Sequence, residues 1–138
     1  VRCETRLYNA LNDRMRRGHG IAASQYEFLR YLRDHPDARV GDLTAFFVIG
    51  VGATSKGMDR LEGRGLFRRV PDPADRRSSL LELTDTGERL VHEADETLAA
   101  IGALIQTALD PARLGAAAQA LRQLLTALEH DRIGTPAG

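Results

Sequence analysis

The stretch from Gly50 to Ser79, GVGATSKGMDRLEGRGLFRRVPDPADRRSS, constrains this chain more than any other. Its first half has the spacing of a helix, with Thr54, Met58 and Leu61 at i, i+4 and i+7 on a face that must pack inward. A turn of about 100° per residue then sets Gly52, Lys56, Asp59, Arg60 and Gly63 on the opposite face, flanked by Ser55. Gly65 ends the helix, because glycine closes a helix C-terminus in the left-handed conformation at little cost. Leu66 to Val70 reads as a short strand, Pro71, Asp72 and Pro73 as a turn, and Leu80 to Leu83 as the return strand. Leu66, Val70, Leu81 and Leu83 are its candidate inward positions, and Arg68 and Arg69 read as solvated. Arg76 and Arg77 sit at the tip of this hairpin, which two prolines stiffen. Each glycine in the helix costs about 1 kcal/mol against alanine. Tight packing is the expectation for Gly57, and close approach of a phosphate is weighed evenly with poor propensity for Gly52.

The flanks read as helices. Leu7, Leu11 and Met15 recur at four-residue spacing in a helix over residues 3–18, ended by Gly18-His19-Gly20. Ser24 to Glu27 reads as a capping box for a helix carrying Phe28, Leu29 and Leu32 inward and stopped at His35-Pro36. Val40 to Phe47 is a short helix with Leu43, Phe46 and Phe47 apolar. Ile49-Gly50 turns it into the next, which makes a helix-turn-helix. Thr84 caps a helix running to about Leu109, with Asp85 and Glu88 in its first turn, where the dipole favours negative charge. Leu90, Ala94, Leu98, Ile101, Ile105 and Ala108 form its stripe. Asp110-Pro111 starts a last helix to about His130, with Leu114, Ala117, Ala118, Leu121, Leu125 and Leu128 inward. Stripes this long exceed what one small domain covers, and a second copy of the chain is the simplest partner.

Net charge is zero over 138 residues, but the distribution is uneven. Residues 1–55 carry +2, residues 56–77 carry +3 and residues 78–138 carry −5. A basic middle with a helix beside a basic-tipped hairpin suits two adjacent grooves of duplex DNA, which responds to the local field. The longest run without charge, Leu43 to Lys56, is too short to span a bilayer. With no charged-then-apolar leader, the expectation is a cytoplasmic protein without a membrane partner. The lone Cys3 excludes an internal disulfide framework. His19, His35, His92 and His130 are scattered, so no metal site and no cofactor are expected. No nucleophile and base converge in the sequence, so an enzyme is not expected.

Asp42-Leu43-Thr44-Ala45 through Gly65-Leu66, then Arg69, then DPADRRSS and Leu83-Thr84-Asp85-Thr86-Gly87, together resemble the MarR family of bacterial transcription regulators. The likeness runs without a gap from Asp42 to Leu66 and extends in outline to the whole chain. It implies a mainly α fold with a small β-hairpin wing: a winged helix-turn-helix lobe over residues 22–84, and helical dimerisation regions over residues 1–20 and 85–132. It also implies a homodimeric repressor on a pseudo-palindromic operator. By the same resemblance, Ser55, Lys56 and Arg60 fall where the recognition helix meets DNA, and Arg76 and Arg77 at the wing tip. Asp75 matches the aspartate held to order the wing, and Asp59 is expected to pair with a nearby arginine, Arg77 being the first choice. Gly52 and Ala53 depart from the hydroxyl or basic side chains usual there, which shifts readout toward backbone and wing.

Many members of the family take a small aromatic ligand between the DNA-binding lobe and the dimer helices. Tyr8, His19, Tyr26, Phe28 and Tyr31 are the candidate lining residues here, against the plainer reading of each as a half-buried core aromatic. Some members sense peroxide through a cysteine in the first helix. Cys3 sits at the very start and has no second cysteine to pair with, which favours an unreactive thiol over a redox-responsive regulator. A winged helix used only to bind other proteins is the remaining alternative.

Overall fold

The computed structural model describes residues 1–47 and 51–134, with side chains for all of these except 51–55. Six helices and one hairpin follow in the order α1 (Arg2–His19), α2 (Ala23–Asp34), α3 (Val40–Phe47), α4 (Val51–Gly63), β1 (Phe67–Pro71), β2 (Ser79–Leu83), α5 (Asp85–Ala108) and α6 (Pro111–His130). The expected Ile49-Gly50 turn and most of the C-terminal tail lie outside the described residues.

Met15 is buried near the end of α1, and Gly20 closes that helix at φ 67°, its N–H donating to the Arg16 carbonyl. The α2 helix starts differently from the capping box read at Ser24 and Glu27. It begins at Ala23, and both expected capping residues are exposed. Gln25 accepts from the Ala22 N–H at 2.9 Å, and Asn12, reaching over from α1, accepts from the Ala23 N–H at 3.0 Å. A carboxamide and a cross-helix asparagine therefore satisfy the free donors that a serine cap was expected to satisfy.

One core joins the helices to the hairpin. Met15, Ile21, Tyr26, Leu29, Leu32, Leu43, Met58, Leu61, Phe67, Leu81, Val91 and Ala94 are all buried in it. Burying each large apolar side chain contributes about 1.5–3 kcal/mol. Of the three apolar members of α3, Leu43 is buried, Phe47 half-buried and Phe46 exposed. The hairpin is antiparallel, with Phe67 opposite Leu83 and Arg69 opposite Leu81. Its inward face carries Phe67, a residue not among the expected inward positions, whereas Val70 is only half-buried. A third edge forms where Arg39 bridges Leu80 and the Leu81 N–H donates to the Ala38 carbonyl at 2.8 Å.

Thr84 caps α5, accepting from the Gly87 N–H at 3.1 Å and donating to the Gly65 carbonyl at 2.6 Å. The α5 helix packs on α1, α2 and β2 and buries Val91, Ala94 and Ile101. Asp110 caps α6 with Pro111 in its first turn, as the sequence indicates. The apolar stripe of α6 is not buried within the chain: none of its residues is, and Leu121 is 66% exposed, with Leu124 and Leu125 at 55%.

Candidate nucleic-acid interface

Burial of Met58 and Leu61 fixes the rotation of α4, and Lys56, Asp59 and Arg60 consequently lie exposed on its other side. The helix closes through Gly65 at φ 69°, with the Gly65 N–H donating to the Glu62 carbonyl and the Leu66 N–H to the Leu61 carbonyl. Phe67 enters the core immediately afterwards, which ties the hairpin to the end of α4. Gly57 does not pack tightly as expected, since no described atom lies within 4 Å of where its Cβ would stand. The close approach is at Gly87, where an added Cβ would stand 2.0 Å from the Leu66 carbonyl oxygen. The side chain of Ser55 lies outside the described residues, as does any contact of Gly52 beyond its place in α4.

The hairpin tip is closed by its own aspartates. Asp72 accepts from the Ala74 N–H at 2.9 Å, and Asp75 accepts from the Arg77 N–H at 2.9 Å. The Ser78 N–H donates to the Asp75 carbonyl at 3.1 Å, and the Asp75 N–H to that of Asp72 at 3.3 Å. These bonds leave Arg76 and Arg77 exposed at the turn.

Asp59 pairs with an arginine, but not with Arg77. Its partner is Arg69 at 3.1 Å, which also bonds Glu62 at 2.5 Å and lies over the Phe67 ring at 5.9 Å. The Gly65 reversal folds β1 back beside the last turns of α4, so Arg69 is within reach and the hairpin tip is not. Arg69 is therefore not the freely solvated strand residue expected. Arg33, Arg39, Arg68 and Arg69 each join a carboxylate. Among the described residues Lys56, Arg60, Arg76 and Arg77 join none, and their charge remains directed at solvent. Unneutralised cations on one helix and at the tip of the hairpin that follows it are what a polyanion can engage by releasing its counterions.

The five candidate ligand-lining residues stand in differing surroundings among the described residues. The Tyr26 hydroxyl is buried and donates to Asp95 on α5 at 2.5 Å; burial, reinforced by that carboxylate, pushes its pKa up to about 12. Burial also pushes the Asp95 carboxyl up, but hydrogen bonds from Tyr26 and Arg33 outweigh it and hold the group below its ordinary value. His19 bonds the Thr97 hydroxyl at 2.8 Å, and Phe28 packs edge-on against Phe67 with ring centres 5.4 Å apart. Tyr8 is exposed on α1. Tyr31 lines an open groove of about 410 Å³, with Glu27, Arg30, Asp34, His35 and Phe46. It stacks on His35 at 3.9 Å. Cys3 is exposed in the first turn of α1. Among the described residues no group of three or more His, Cys, Asp or Glu side chains is placed to hold a metal ion. No helix there is long and apolar enough to cross a membrane.

Two residues central to this geometry, Arg39 and Asp72, had no sequence signal as a pair. An Asp-Pro turn is legible locally, but its arginine lies 33 positions upstream.

A helix pair followed by a two-stranded wing, with long flanking helices, defines a winged helix-turn-helix protein. Residues 21–79 match the model of the MarR family. The chain is 32% identical over 75 residues to the uncharacterized HTH-type transcriptional regulator YsmB of Bacillus subtilis, a match covering 54% of this chain and 51% of that one. It thus spans about half the length of that curated relative. Its fold resembles BpsR of Bordetella bronchiseptica, whose DNA binding is regulated by 6-hydroxynicotinic acid, with TM-score 0.80 and 28% identity over 89% of this chain and 87% of that one. It also resembles a MarR variant from E. coli complexed with operator DNA, with TM-score 0.80 and 21% identity over 88% and 87% of the two chains. That second likeness is one of fold.

Proposed function

We propose that this chain is a sequence-specific DNA-binding transcription regulator, acting in the cytoplasm as a homodimeric repressor that a small ligand releases from a pseudo-palindromic operator. The observation that carries the reading is the exposure of Lys56 and Arg60 on α4 and of Arg76 and Arg77 at the wing turn, all four without a carboxylate among the described residues. In this reading α4 enters the major groove, where base edges are distinguishable, and the wing arginines reach the adjacent minor groove, where a narrow groove strengthens the negative potential. Lys56, Arg60 and the side chain of Ser55 contact the DNA, and Gly52 lets the backbone approach a phosphate. Asp75 orders the wing. Asp59 draws Arg69 back against the helix and touches no phosphate.

Residues 22–84 form the DNA-binding lobe, and residues 1–20 and 85–132 form the dimerisation region. The exposed leucines of α6 support this division, because an apolar face of that length is stable in water only when covered. A two-fold dimer sets two α4 helices about 34–36 Å apart, matching half-sites one helical turn apart. The ligand is a small aromatic, supported by the precedent of 6-hydroxynicotinic acid in BpsR. It shifts the lobe spacing and thereby weakens operator binding. Selection of bound duplexes from a random pool tests the reading. An enriched inverted repeat is the expected result, and recovery of unenriched sequence overturns it.

A further inference from the structure

Asp72 is the only acidic or basic residue found buried among the described residues, its side chain 2% exposed. A buried carboxylate persists only when it is paired and hydrogen-bonded. One oxygen, Oδ1, accepts from the Ala74 N–H inside the wing turn. The other, Oδ2, accepts from Arg39 Nε at 2.8 Å and from a terminal nitrogen of the same guanidinium at 2.6 Å. The Ala74 N–H and the Arg39 guanidinium together hold the Asp72 carboxyl below its ordinary value.

Arg39 is fixed from its other end. Its backbone N–H donates to Asp42 at 2.8 Å at the start of α3, and it bridges Leu80 on β2. This one residue therefore joins α3, the second strand and the turn that carries Arg76 and Arg77. The bonds within the turn fix its internal shape. The Arg39 fork fixes where that shape sits against the rest of the lobe.

We propose that Arg39 is a positioning residue for the wing, holding the Asp72–Ser78 turn through Asp72 so that Arg76 and Arg77 stand at a set place relative to α4. The inference rests on the reading that these two arginines meet DNA. Arg39 is itself 47% exposed, so a direct phosphate contact is the rival role.

The test uses the full chain and two variants, Arg39→Ala and Asp72→Asn. Without DNA, hydrogen exchange at the amides of Ala74, Asp75 and Ser78 should speed up about tenfold or more in both, with α5 amides unchanged. With DNA, Arg39→Ala should weaken binding about tenfold in the wild-type background. It should add nothing once Arg76→Ala and Arg77→Ala are present, because coupled sites are non-additive. Unchanged wing exchange overturns the proposal, and so does a full additive loss in the wing-less background, which would mark Arg39 as a phosphate contact. A wild-type chain that bound no duplex would instead remove the DNA reading itself, a result distinct from any ratio between variants.

Discussion

Arg69 on β1 lies 3.1 Å from Asp59 on α4 and also bonds Glu62 one turn on, so the strand neutralises two carboxylates that would otherwise face outward beside Lys56 and Arg60. Removing Arg69 uncovers both. Arg69→Ala should weaken duplex binding about tenfold, the repulsion of two bared carboxylates adding to the lost cation. Its folding stability should change by no more than about 1 kcal/mol, since the pairs are partly exposed. Urea denaturation beside anisotropy titration checks both parts; an unchanged affinity means the pairing is idle.

Gly87 supports the same assembly from below. A Cβ there would stand 2.0 Å from the Leu66 carbonyl oxygen and 2.8 Å from Leu83, and backbone cannot yield as a side chain can. Gly87→Ala should destabilise the chain by about 1–3 kcal/mol through overpacking. The midpoint of urea unfolding reads this, and a wild-type midpoint would show that α5 can slide.

The Tyr26–Asp95–Arg33 cluster joining α2 to α5 predicts two pH limbs. Asp95 titrates lower in the fold than in the unfolded chain, where an aspartate has a pKa of about 3.9. Its contribution is therefore complete above that value and is lost as pH falls through the lower folded one. Tyr26 is raised to about 12, against about 10 unfolded, so its contribution is complete below pH ~10 and is lost as pH rises through the folded value. Tyr26→Phe should cost about 1 kcal/mol at neutral pH and flatten the alkaline limb. Denaturant unfolding followed across both limbs, from about pH 3 to about pH 11, tests this. An unchanged alkaline slope counts against the bond.

The apolar face of α6 should be the seam between two copies. Leu121→Glu with Leu125→Glu places charge on it, and the chain should sediment as a monomer with its helices intact. A dimer persisting in the double variant would place the seam elsewhere.

Much of this architecture was legible because it is local. Thr84 and Asp110 cap where they stand, Gly65 stops α4, and the spacing of Met58 and Leu61 gives the outward face of that helix. What was not legible depends on distant chain. The α2 cap relies on Asn12 from another helix, Asp59 chooses Arg69 because the chain reverses at Gly65, and Asp72 is held by Arg39. The partners of the candidate ligand-lining residues also lie far along the chain: Tyr26 bonds Asp95, His19 bonds Thr97, and Phe28 packs on Phe67.

The central claim is that the exposed cations of α4 and the wing turn bind duplex DNA. Anisotropy titration of a selected duplex across salt concentrations, with wild type and the Arg76→Ala/Arg77→Ala variant, tests it most directly. The account predicts a steep linear fall of log affinity with log salt, shallower by about 3.6 in the variant dimer, which lacks four wing arginines, at about 0.9 for each phosphate that is no longer neutralised. A salt-insensitive affinity, or identical slopes for the two proteins, would contradict it.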